Sequence, residues 1–210
     1  MATTPAVTAL DSIEAILDSF DAAGVGRGER LVCASRSRGL ASRLTAVAAL
    51  LVARAEAGRE SEQRGGTPAT SWLALQPGWS KREAAGLLHQ GRDLAEHPGV
   101  ADAAVSGRIS VNQARAIHTA MAGLDGLDAP GQAKAENMLL ELAGSMVSDR
   151  LVKAAPQVLA RVAPERAAET LARRLQRQAE AAQANRSLVF SRDNNGAVKV
   201  SGSLPFPAGQ

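Results

Sequence analysis

The chain has no tyrosine, and its 210 residues include only two tryptophans, three phenylalanines and one cysteine. Strand-rich domains fill a pleated surface with β-branched and aromatic side chains, so this scarcity argues against an all-β sandwich or barrel. It also argues against a stacking platform for single-stranded nucleic acid, which needs rings for bases to lie on. Cys33 alone makes neither an internal disulfide nor a multi-thiolate metal site, and it reads as a small buried hydrophobe. No segment approaches about 18 apolar residues without a charge, so no membrane span is expected. The first stretch is acidic, with Asp11, Glu14, Asp18 and Asp21 against Arg27. A secretory signal starts basic and a transit peptide is poor in acids, so the expected location is cytoplasmic.

What the chain has in abundance is alanine, at 43 residues. Alanine is the best helix former and loses no side-chain entropy in a helix. The composition therefore predicts a mainly α fold, long enough to bury a core without a staple. The formal net charge of +3 hides four alternating blocks. Residues 1–29 and 93–149 are acidic; residues 30–92 and 150–210 are basic. Of the 24 basic residues, 20 are arginine, whose planar fork donates paired hydrogen bonds to phosphate. A coding bias toward alanine and arginine explains the same count without a ligand.

Periodicity places the helices. Leu10, Ile13, Leu17 and Phe20 share one face of an opening helix over about 11–23, ended by Gly24, Gly26 and Gly28. A long helix is expected over about 29–62, with Leu40, Leu44, Val47, Leu51 and Ala55 as its buried stripe. Arg36, Arg43 and Arg54 flank that stripe, where long side chains snorkel over a packed seam. Thr67 and Pro68 read as the N-cap and first residue of a short helix carrying Trp72. Ser80-x-x-Glu83 and, thirty residues on, Ser110-x-x-Gln113 have the capping-box form, each after a large apolar residue (Trp79, Ile109). Between them a short helix ends at Gly107, which suits a left-handed C′ position. The pair fits an ordinary helical hairpin or a helix-turn-helix unit whose second helix, exposing Val111 and Asn112, enters a groove. Further helices start at Asp128-Ala129-Pro130, at Ser148-Asp149 (divided or kinked by Pro156) and at Pro164. The last runs to about 184, with Ala168, Leu171, Ala172, Leu175 and Ala179 on its apolar face. Leu188–Ser191 and Ala197–Ser201 then read as a hairpin around Asp193-Asn194-Asn195-Gly196. The expected layout is an N-terminal helix and glycine-rich linker (1–28), a helical domain (29–186) and the hairpin region (187–210). The expected fold is a multi-helix bundle with one long helix and two capping-box helices.

Two sets of basic residues are candidate phosphate contacts. Arg166, Arg173 and Arg177 align at i, i+7 and i+11 opposite the apolar face of the last helix. Lys81 and Arg82 sit exposed in the first turn of the first capping-box helix. A solvated helix face accounts for the same stripe. The three histidines, His89, His97 and His118, have no second ligand at a metal-binding spacing such as His-x-x-x-His. His97 before Pro98 reads as a helix-end residue, with Glu96 on a different face, and His118 as a boundary side chain. There is no phosphate loop and no nucleophile elbow. No metal, cofactor or catalytic residue is expected.

Trp72-Leu73, Ser80-x-x-Glu83-Ala84, Arg92-x-Leu94, Pro98 and Gly107-x-Ile109-Ser110-x-x-Gln113-Ala114 together resemble domain of unknown function 222, as do Asn195-Gly196, Val198 and Gly202 later on. The resemblance runs from about residue 30 to the end. It implies the context of actinobacterial proteins in which this domain precedes an HNH endonuclease, a ββα unit with catalytic and metal-holding histidines. No histidine follows His118, so no nuclease residue carries over. The family's helical domain continues past the equivalent of Gly202, which makes the chain read as the front of a longer protein, or as a remnant. The expectation is a non-catalytic helical accessory domain that contacts nucleic acid through phosphates. The alternative is a protein-interaction or oligomerisation module, with a missing nuclease domain or another protein as partner.

Overall fold

A computed structural model describes residues 4–124, 126–192 and 196–203, and within them the fold is helical with a terminal two-stranded hairpin. The opening helix α1 spans Pro5–Asp18, earlier than the pattern suggested, because Pro5 pre-sets the first helical turn after Thr4. None of its residues is buried: Leu10, Ile13 and Leu17, with Phe20 just past its end, are all exposed.

The long helix is shorter than expected. α2 covers Arg30–Ala57 and stops at Gly58; Arg59 adopts a left-handed conformation (φ 53°), and a separate turn, α3, follows over Glu60–Gly65. Its buried face also differs from the expected leucine stripe. Ala46 and Ala49 are fully buried, whereas Leu40, Leu44 and Leu51 are exposed. The reason is close helix approach. α2 crosses α5 (Lys81–Glu96), and the carbonyl of Ala49 and the Cβ of Ala53 lie where a side chain on Gly91 would project. Backbones this near leave room for alanine and glycine only at the crossing, so Leu40, Leu44 and Leu51 lie exposed while Val47 and Leu50 are half-buried. Cys33 is half-buried, not part of the core.

α4 (Ala69–Ala74) begins one residue later than the Thr67 cap implied, with Pro68 at the N-cap. Its first free N–H, on Ala69, is taken by Glu56 Oε2 of α2 at 2.9 Å, so the cap comes from a neighbouring helix. α6 (Pro98–Ser106) closes at Gly107 (φ 81°) with the paired bonds of a Schellman motif: the Arg108 N–H donates to the Ala103 carbonyl and the Gly107 N–H to that of Ala104. Arg43 spans this corner from α2, donating Nε–H to the Val105 carbonyl at 2.9 Å, as expected of a side chain lying over a seam.

α7 (Val111–Ala122) is the central helix. It buries Val111, Ala114, Ala116, Ile117, Ala120 and Met121, more than half its circumference. α8 (Ala129–Ala143) packs on it through Ala135, Leu139 and Ala143, capped by Asp128 accepting from the Gly131 N–H. Pro156 divides the next segment into α9 (Ser148–Val152) and α10 (Ala155–Val162), where Leu151, Val158 and Leu159 complete the core. α11 runs Pro164–Ala184 and packs chiefly on α10; no residue along it is buried. Its expected apolar face exists but is uncovered, with Leu171 and Leu175 more than half exposed. The hairpin pairs β1 (Ser187–Arg192) with β2 (Val198–Ser203) in antiparallel register, Ser187 opposite Ser203 and Phe190 opposite Val200, exposed throughout. The expected turn residues Asp193, Asn194 and Asn195 lie outside the described residues.

Candidate nucleic-acid interface and a histidine–carboxylate cluster

Both capping boxes form in full. Ser80 Oγ accepts the Glu83 N–H, and Glu83 Oε2 accepts the N–H and hydroxyl of Ser80 at 2.9 and 2.6 Å. These bonds stabilise the charged carboxylate and hold the Glu83 pKa below its ordinary value. Lys81 and Arg82 follow directly as the first two residues of α5 and are exposed. In the second box Ser110 and Gln113 make the same reciprocal bonds. The start of α7, however, is docked: Val111 is buried and donates its N–H to Ser42 Oγ of α2 at 2.8 Å. Of the two residues expected to be exposed at this helix start, Val111 is therefore packed against α2 and Asn112 alone is exposed.

The arginine stripe on α11 divides. Arg166 lies at the packed end of the helix, its guanidinium against Gly126 in the loop between α7 and α8. Arg173 and Arg177 lie further along the exposed length; Arg173 meets Glu169 at 3.7 Å and Arg177 donates Nε–H to the Arg173 carbonyl at 3.4 Å. Exposed i,i+4 pairs of this kind hold little energy and yield readily to a stronger anion. Lys81 and Arg82 are on α5, which packs on α2, whereas α11 packs chiefly on α10.

The structure gathers side chains whose sequence spacing carries no sign of it. His97, at the corner between α5 and α6, points Nδ1 at Glu136 Oε2 of α8, 3.0 Å away. His118 on α7 has Nε2 3.5 Å from Asp93 and Nδ1 3.7 Å from Glu96, both on α5. The two rings meet edge to face with centroids 5.6 Å apart. Glu96 and His118 belong to no shared local motif; only the packing of α7 across the end of α5 brings them together. The one legible signal is His97-Pro98, since the residue before proline is kept out of the α region and turns the chain there. Glu96 also borders an open cleft of about 740 Å³ with Arg54, Glu56, Arg92 and Asp102.

A chain with this helical core and hairpin belongs to the family described as Domain of unknown function (DUF222), whose profile matches residues 31–210. No curated protein and no solved structure matches it significantly. No helix among the described residues is long and apolar enough to cross a membrane.

Proposed function

We propose that the chain is a helical accessory domain that contacts nucleic acid through phosphates, within a protein of the HNH-endonuclease-associated, actinobacterial type that the sequence resembles. The observation supporting this reading is the placement of Arg173 and Arg177 on a helix that buries none of its residues. Among the described residues, Arg173 engages a surface carboxylate and Arg177 a backbone carbonyl, both easily exchanged for phosphate. Arg166 anchors the same stripe at the packed end, and Lys81 and Arg82 form a second, weaker contact surface. The test is a duplex-DNA titration at several salt concentrations. Affinity should fall steeply with salt, and the double variant Arg173→Ala, Arg177→Ala should reduce the log–log slope by about one for each arginine removed. Absence of binding at low salt overturns the reading.

A second reading, a protein-interaction or oligomerisation module, is favoured by the opposite face of the same helix. Leu171 and Leu175 are exposed there, as are the apolar residues of α1. Light scattering at two protein concentrations separates the readings: a strict monomer counts against self-association.

A further inference from the structure

We propose that Glu96, His97 and His118 form a binding site for a zinc-class divalent cation. One donor atom from each lies within 4.8 Å of the other two. Two imidazole nitrogens and a carboxylate oxygen are a donor set that suits Zn²⁺, with a fourth position left to water.

Three features distinguish this cluster from a chance meeting of surface charges. First, each imidazole meets a carboxylate on one ring nitrogen, which leaves the other as the donor the ion would take. The Nδ1–H of His97 is donated to Glu136, which leaves its Nε2 lone pair for the ion. Asp93 faces Nε2 of His118, which leaves Nδ1. Outer carboxylates of this kind fix the tautomer and orientation of metal-ligating histidines. Second, His118 Nδ1 is shielded from solvent and has no hydrogen-bond partner; Glu96, at 3.7 Å, stands too far off to supply one. A buried nitrogen without a partner is costly, and an ion between it and Glu96 removes the cost. Third, the parts differ in freedom as a site requires. The side chains of His97 and His118 are only 17% and 28% exposed, whereas that of Glu96 is 65% exposed and is free to adjust toward an ion held by the two rings. Gly99 contributes by omission, since a Cβ there would fall 2.7 Å from the Glu136 carboxylate that orients His97.

The site uses none of the arginines of the α11 stripe. It joins α5, α6 and α7, with Glu136 of α8 behind it, so the cation would tie together helices that otherwise meet largely through alanine. The test uses the full 210-residue chain stripped of metal with a chelator. Calorimetric titration with zinc chloride should give one equivalent per chain. Cobalt(II) chloride should give the intense visible bands of a four-coordinate site. Zinc should raise the melting temperature, and the chelator should reverse the rise. Glu96→Gln should weaken binding at least about tenfold, His118→Asn should abolish it, and Asp93→Asn should cost about 10–100-fold through His118 alone. No binding overturns the proposal, as does binding that Glu96→Gln leaves unchanged. Because Glu96 is exposed, its variant keeps the test valid even if His118→Asn fails to fold.

Discussion

Gln113 Nε2 donates to the carbonyl of Ala143 at 2.7 Å and shares its second hydrogen with Met146 at 2.9 Å. Its Oε1 meanwhile accepts from Ser110. One side chain thus caps the start of α7 and the end of α8 together. This explains why the two capping boxes differ: Glu83 meets only Ser80 and can be an acid, whereas position 113 needs two donors that only the amide provides.

The swap of Gln113 for glutamate should therefore be damaging, because it turns a carboxylate toward two carbonyl oxygens. Gln113→Glu should lower unfolding free energy by about 2–3 kcal/mol at neutral pH, and Gln113→Ala by about 1–3 kcal/mol. The converse swap, Glu83→Gln, should be far milder, as befits an exposed position whose only partner is Ser80. Urea denaturation of the three variants checks the asymmetry. Equal effects at both positions would contradict it.

Glu83 should also leave a signature in acid. Its pKa is lowered in the folded chain by the Ser80 hydrogen bonds, so the folded state binds its proton less readily than the unfolded state. The stabilisation is complete above the unfolded carboxylate pKa and is lost as pH falls through the lowered folded value. Melting curves from about pH 6 down to about pH 2 should show wild type and Glu83→Gln converging at the acid end. A constant gap would mean the bond does not depend on charge.

Gly91 lies where α5 crosses α2, and a Cβ there would overlap the Ala49 carbonyl and approach the Ala53 Cβ to 2.8 Å. Gly91→Ala, ordinarily favourable in a helix interior, should here destabilise by about 1–3 kcal/mol or more through overpacking. Gly86 on the same helix has nothing within 4 Å of its Cβ position, so Gly86→Ala should stabilise by about 0.5–1 kcal/mol. Opposite signs for the two changes on one helix are the expected result of thermal denaturation.

Asp128 caps α8 with its side chain, accepting from Gly131 at 3.0 Å. Asp128→Ala should cost about 1 kcal/mol and Asp128→Asn much less, since asparagine caps almost as well. If asparagine proved as costly as alanine, charge and not capping would be the cause.

Local chemistry was the part that could be read from the sequence. Ser80, Ser110, Gly107, Asp128 and Pro156 each act within a turn of their own position, and each marks the boundary expected of it. The long-range part could not be read in the same way. Leucines at Leu40, Leu44 and Leu51 carry the strongest apolar period in α2, yet the crossing with α5 selects the smaller Ala46 and Ala49. Periodicity reports which residues share a face but not how near the neighbour comes. The break at Arg59 was hidden for a related reason: a left-handed arginine has no compositional mark, and only the turn into α3 requires it. The histidine cluster is the extreme case, assembled from three helices and a corner whose spacings mean nothing until the chain is folded.

The helices that bury nothing have a consequence for how the protein comes apart. α1, the outer length of α11 and the hairpin are held by their own backbone hydrogen bonds, while α2 and α5 to α10 share one packed core. Opening the outer segments exposes little new apolar surface, so their amides should exchange with solvent long before those of Ile117 or Leu139. Protease treatment would then trim both ends and leave a resistant middle. A single unfolding free energy would describe that middle alone, and the segment carrying Arg173 and Arg177 would sample helix and coil on its own terms until a partner holds it.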